Sequence, residues 1–185
     1  MENSSTDLVC RYIEDAIAAE KDFEGQLRSF AEETSDDSDV RFLFLSHADE
    51  TYVQRQRLTD RLALMGRELS SVKSMAAQIF SLSPKIATAK QNPEERIVQN
   101  LITAFSVEQS ECAMYEALIH VARMAGDRET ETLALKIQAE ENRAAESLWH
   151  LLPSRSKIAY NILTMGEVDP SVETKTQEDQ ILLDN

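Results

Sequence analysis

The chain has 185 residues, 42% of them hydrophobic, with 19 basic and 33 acidic side chains and a net charge of −14. That length suits one domain able to bury a core without staples, and with no apolar run near ~20 residues the chain is not expected to span a membrane. The acidic balance is the wrong sign for tracking nucleic acid phosphates or an anionic membrane surface, and it favours cations if it favours any partner.

The first predicted helix runs from Thr6 to Glu33, with an inward stripe of Ile13, Ile17, Glu20, Phe23, Leu27 and Phe30 or Ala31. Apolar residues at three- and four-residue spacing, not in alternation, mark it as helical. A polar turn at Thr34-Ser35-Asp36-Asp37-Ser38 precedes the second helix, Asp39 to Met65, with Gly66 as its natural stop. Its stripe is Val40, Leu43, His47, Glu50, Gln54, Leu58, Leu62 and Met65.

Residues 67 to 92 form the longest connection, in which Ser71 to Leu82 can make a short helix ended by Pro84. Asn92-Pro93-Glu94-Glu95 is a strong start for the third helix. Asn92 can cap, Pro93 suits the first turn, and the glutamates meet the positive end of the dipole. That helix runs to Ala125, with Ile97, Leu101, Ala104 or Phe105, Glu108, Glu111, Tyr115, Ile119 and Ala122 inward. Gly126-Asp127 breaks it, and Asp127 can cap the fourth helix. This last stripe is Leu133, Ile137, Glu141, Ala144, Leu148 and Leu151, and Pro153 is expected to end it after Leu152. A minor helix is expected from Ser156 to Leu163, and residues 166–185 read as an acidic, mobile tail.

Two short turns and one long crossover make two antiparallel hairpins joined across a bundle. That is the ferritin-like arrangement, an all-α four-helix bundle over residues 1–165. The N-terminus lacks a secretory pattern, and Cys10 and Cys112 form no CxxC pair. A reducing, cytoplasmic setting is therefore expected.

The chemistry lies where charges interrupt the stripes. Glu20, Glu50, Glu108, Glu111 and Glu141 occupy mid-helix positions that periodicity assigns to the interior, and His47 shares a face with Glu50. Unpaired buried carboxylates cost several kcal/mol each. The stripes carry no basic partner, since Arg57 and Arg61 lie about two turns or more beyond Glu50. Two divalent ions, iron or manganese, would compensate the charge through hard oxygen ligands. Glu24, Glu116, Glu140 and Glu146 are expected in solvent. His120 and His150 are expected at the surface or core edge, Trp149 as an edge anchor, and Tyr52 and Tyr115 in packing roles. No nucleophilic triad, P-loop or dinucleotide fingerprint rises above noise.

At these positions the sequence resembles the YciF-type, DUF892 group of ferritin-like proteins. The resemblance is carried by Ala19-Glu20 with Leu27, then by His47, Glu50, Thr51 and Gln54. Val107-Glu108 with Glu111 and Tyr115 continues it, and Glu140-Glu141 with Ala144, Ala145 and Leu148 completes it. It implies a rubrerythrin-like bundle, a dinuclear metal centre, homodimerisation and a link to stress responses. The chain departs from the wider ferritin pattern of Glu-x-x-His on two helices. Here His47 precedes Glu50, and Ala144 stands where a second histidine would follow Glu141.

The expected ligands are thus Glu20, His47, Glu50, Glu108, Glu111 and Glu141. The expected activity is ferroxidase-, peroxidase- or catalase-like chemistry on small oxygen species. The alternatives are a metal-free helical scaffold for dimerisation or partner binding in a stress response, and an iron-storage cage.

Overall fold

The computed structural model describes residues 2–69 and 92–165, which form four helices. In chain order they are α1 (Glu2–Glu33), α2 (Ser38–Leu64), α3 (Pro93–Ala125) and α4 (Arg128–Met165). The short helix expected at 71–82 and the tail at 166–185 lie outside the described residues. No described helix is long and apolar enough to cross a membrane.

The helix ends are set by local chemistry. Asp37 caps α2 by accepting from the Val40 N–H at 3.1 Å. Asn92 caps α3 by accepting from the Glu94 N–H at 3.0 Å, with Pro93 in the first turn. Asp127 accepts from the Thr130 N–H at 3.0 Å at the head of α4. α2 and α3 stop in the same way. Gly66 and Gly126 take positive φ of 73° and 75°, conformations that a β-carbon would strain. The next N–H then reaches back five residues, from Arg67 to Leu62 and from Asp127 to Ala122.

The fourth helix differs from the sequence expectation at one point. Residues 156–163 are helical as expected, but Pro153 does not interrupt the chain, and α4 is continuous to Met165. Proline removes the donor that would serve the carbonyl of Trp149, a residue that is solvent-exposed, so water can take its place. Beyond the proline, Arg155 donates to both oxygens of Asp37 at 2.7 and 2.8 Å and to Asp39 at 3.2 Å. The extension is therefore tied to the turn between α1 and α2, and that tertiary anchor overrides the local preference of Pro153.

Packing follows the two hairpins. α1 lies along α2, α3 lies along α4, α1 also meets α3, and α2 and α4 touch least of these pairs. The core falls into two apolar layers. One is built on Val9, Ile13, Ile17, Leu58, Leu118 and Ile137. The other is built on Phe23, Leu27, Phe44, Leu101, Val107 and Leu148. On each helix a polar stretch separates the two. Glu20 sits between Ile17 and Phe23, His47 and Thr51 between Phe44 and Leu58, Glu108 and Glu111 between Val107 and Leu118, and Glu141 between Ile137 and Leu148. Antiparallel hairpins bring these stretches to one height.

Candidate metal centre

The polar layer lies inside the bundle. Glu20, Glu108 and Glu141 are wholly buried, Glu111 and His47 nearly so, and Thr51 and Gln54 are buried beside them. Each reaches the interior because its helix places it one or two turns from apolar residues on the same face. Phe23 closes one side, its ring edge-on to the His47 imidazole with centroids 5.7 Å apart.

His47, Glu108 and Glu141 form the tightest group. Each offers one ligand atom, and these atoms all lie within 4.8 Å of one another. His47 Nε2 comes to 2.5 Å from Glu108 Oε1 and 3.9 Å from Glu141 Oε2. The short approach lacks hydrogen-bond geometry, and both atoms remain without a hydrogen-bond partner. With the imidazole charged this is an ion pair; with it neutral, the nitrogen and the carboxylate oxygens of Glu108 and Glu141 are near enough to share one cation. Both oxygens of Glu108, Glu111 and Glu141, and Oε2 of Glu20, are likewise buried and unpartnered. A buried polar atom without a partner is costly, and a cation could satisfy a cluster of such atoms in one place.

Electrostatics point the same way. Burial pushes the Glu20 carboxyl up to about 8, against the lowering effect of the Tyr115 hydrogen bond. Burial, then the neighbouring carboxylates, hold Glu111 and Glu141 well above the usual range. Burial opposes a charged His47, but Glu108 and Glu50 overcome it and raise the imidazole to about 9. Without a cation the layer therefore holds protons; a bound cation would displace them.

Five of the six residues expected at the centre are buried together. Glu50 is set apart, with its side chain 41% exposed. It stands at the rim between α2 and α4, 3.9 Å from His47 Nδ1 and 3.7 Å from the Arg143 guanidinium. His47 holds its carboxyl below the ordinary value.

Two expectations for flanking glutamates need correction. Glu140 is not in solvent: its carboxylate pairs with Arg57 and accepts from Gln54 Nε2 at 3.3 Å. Glu24 is also largely covered, between Arg55 at 2.8 Å and Arg28 at 3.1 Å. The helix faces beside the stripe meet neighbouring helices, and single-helix periodicity does not register which side chains cross to them. Glu116, Glu146, His120 and His150 are exposed, as expected. Trp149 is an edge residue, its ring 5.3 Å from that of Phe105.

Tyr115 does more than pack. Its hydroxyl, wholly buried, donates to Glu20 Oε1. The signal was present in the sequence, a tyrosine one turn past Glu111 on the same stripe, but a phenol at that position is usually core. Arg57 and Arg61 stay outside the cluster: Arg57 serves Glu140, and Arg61 serves Asp127, Glu129 and Thr130. No arginine contacts the cluster; its basic compensation is the His47 imidazole against Glu108, with a weaker pull of the Arg57 charge on Glu20.

A family model described as "Domain of unknown function (DUF892)" matches residues 4–160. Among solved structures, the Escherichia coli stress protein YciF is similar with a TM-score of 0.73 at 21% identity, over 83% of this chain and 97% of that one. YcfI of Rhodopseudomonas palustris is similar with a TM-score of 0.70 at 23% identity, over 78% and 92%. A protein of Xanthomonas campestris is similar with a TM-score of 0.69 at 20% identity, over 87% and 99%. At these identities the likeness to the three structures is one of fold.

Proposed function

The chain belongs to the DUF892 family, and from that premise and the buried acidic layer we propose that it is a dinuclear metal-carboxylate protein acting on small oxygen species under stress. The observation that carries the reading is the set of unpartnered atoms: one oxygen of Glu20, both of Glu108, Glu111 and Glu141, and both nitrogens of His47, all buried. The four buried carboxylates balance the charge of two divalent ions. Oxygen donors with a single imidazole suit iron or manganese.

His47, Glu108 and Glu141 would hold one ion, and Glu20 and Glu111 would help hold the other. When bound, a redox-active pair of this kind supplies two one-electron steps toward a ferroxidase-, peroxidase- or catalase-like reaction. The chain's own contribution is preparation. Two apolar layers and the Phe23 ring keep bulk water from the carboxylates, which strengthens every charge interaction among them. Glu20, Glu111 and Glu141 carry protons until ions arrive and would release them at their carboxylate oxygens. Glu50, at the rim, is placed to meet an arriving cation.

Two further elements belong to the same proposal. The free thiols Cys10 and Cys112 suit a reducing cytoplasm. Exposed Ile102 and Trp149, the latter against Phe105, offer an apolar strip for a second copy, so a homodimer is part of the reading.

Metal analysis tests the core claim. Purified protein loaded with iron or manganese is expected to hold about two ions per chain, as paired carboxylate sites do. Glu108→Ala or Glu141→Ala is expected to remove them; unchanged loading in either variant refutes the assignment. The alternative, a metal-free scaffold, draws on the raised carboxyls, which can persist as neutral acids. It requires no loading and unaltered stability with a chelator present.

A further inference from the structure

We propose that the two ion positions are unequal, and that Tyr115 is the positioning residue that sets the second by pinning Glu20. This rests on the dinuclear reading above. Its basis is an asymmetry within the layer.

One side of the layer is already assembled. His47, Glu108 and Glu141 present ligand atoms within 4.8 Å of one another. An ion there needs little rearrangement, and preorganised ligands bind more tightly than ones that must be gathered. Glu20 and Glu111 lie outside that group, although they are just as buried.

On this other side, only one carboxylate oxygen is tied down. Tyr115 donates its hydroxyl proton to Glu20 Oε1, and Glu20 Oε2 has no partner. The hydrogen bond crosses from α3 to α1 and joins two wholly buried groups. The phenol cannot move to follow Glu20, because its ring is packed in the apolar layer with Ile13, Leu58, Leu118 and Ile119. The core therefore fixes the hydroxyl, the hydroxyl fixes one oxygen of Glu20, and the other oxygen is left as the single free donor. Glu20 then meets an ion with Oε2 already oriented toward it, and Glu111 supplies the rest of what the second position has of its own. Fewer prearranged donors make that position the weaker. Partners of this kind, behind a ligand, typically change metal affinity by roughly 10- to 100-fold when removed.

The test is a titration of the metal-free full chain with Mn²⁺, followed by calorimetry and electron paramagnetic resonance. The wild type is expected to bind in two resolved steps. Tyr115→Phe keeps the ring and removes only the hydroxyl. It is expected to weaken the second step by roughly 10- to 100-fold and leave the first unmoved. Glu20→Gln is expected to weaken the same step. The double variant is expected to be no worse than Glu20→Gln alone, because the tyrosine acts through that carboxylate.

Two equal sites in the wild type overturn the inference while leaving dinuclear binding intact. So does a Tyr115→Phe variant whose second step is unchanged or whose two steps weaken alike. A Glu20→Gln variant that retains both steps overturns it too, and covers the case in which Tyr115→Phe fails to fold. Uptake of one ion only, or of none, by the wild type is a different result: it removes the dinuclear reading itself, and this inference with it.

Discussion

Glu140 and Glu141 are consecutive residues of α4, and they lead into two different regions of the molecule. Glu140 turns toward α2 and meets Arg57, whose Nη1 donates to its Oε1 at 3.1 Å. Glu141 turns into the central layer, where both its oxygens lack a hydrogen-bond partner. The same division runs through the protein. Along the flanks, Glu24, Asp37, Asp127 and Glu140 are each matched to an arginine. In the centre, Glu20, Glu108, Glu111 and Glu141 have no arginine among their hydrogen-bond or ion-pair partners. A chain that supplies arginines to its partly covered carboxylates and withholds them from its most buried ones separates acids paired for structure from acids that, on the proposed function, would meet a cation. Burial alone does not make that distinction; the identity of the partner does.

Breaking a flank pair should cost stability without touching the centre. Arg57→Ala leaves Glu140 covered, without its ion pair and with only the Gln54 amide as partner. The expected loss is about 2–4 kcal/mol in chemical denaturation, below the roughly 3–5 kcal/mol of a fully buried pair because Arg57 still reaches solvent. Metal uptake per chain should stay at the wild-type level. A variant that lost both together would erase the line between the two regions.

Acidity sharpens the contrast, because the regions respond to it with opposite signs. In the centre, Glu20 binds its proton up to about 8 in the folded chain, against an ordinary 4.5, and Glu111 and Glu141 shift the same way. The folded state then holds more protons than the unfolded one above pH 4.5, so metal-free stability should fall as pH rises toward 8. His47 adds in the same direction: raised to about 9 from 6.5, its contribution is whole below 6.5 and lost as pH climbs through 9. On the flanks, the Arg155 guanidinium holds the Asp37 carboxyl below its ordinary 3.8, and hydrogen bonds from Thr130 and Arg61 outweigh burial to lower Asp127. Their contribution is present above 3.8 and disappears as pH falls below it. Thermal melts of chelated protein from pH 3 to 9 should show both limbs, and Glu141→Gln should flatten only the alkaline one. An alkaline limb unchanged by that substitution would count against a shared proton-holding layer.

The smallest effect is expected at the surface. Arg28 bridges Glu24 and Asp49, both contacts at 3.1 Å, from a side chain that is 44% exposed. Arg28→Ala should cost no more than about 0.5 kcal/mol and should fade with added salt. A larger loss would mean that the flank pairs are graded by something other than burial.

Much of this was legible in the linear pattern because helices repeat. A carboxylate at Glu20, Glu108, Glu111 or Glu141 falls where an apolar residue belongs, and the period of 3.6 carries that information without any knowledge of neighbours. The end signals, Asn92-Pro93 and Gly126-Asp127, are equally local and stand where the pattern put them. Glu50 shows the limit. It lies one turn from His47, yet it sits at the rim, because α2 and α4 pack loosely along the seam it faces. Glu140 and Pro153 show the same limit from the other side. A residue beside the stripe became buried because Arg57 crossed from another helix to meet it, and a helix breaker was carried through because Arg155 reached Asp37.

By itself, then, the sequence determined the helices, their turns and the acids that face inward, since these depend on spacing and on backbone preferences within a few residues. Only the tertiary structure decided which acids would find an arginine, which oxygens would be left without a partner, and that a buried phenol would hold Glu20 by one of its two oxygens. Those outcomes depend on side chains from different helices arriving at the same few ångströms of space, and no periodicity along one chain encodes that distance.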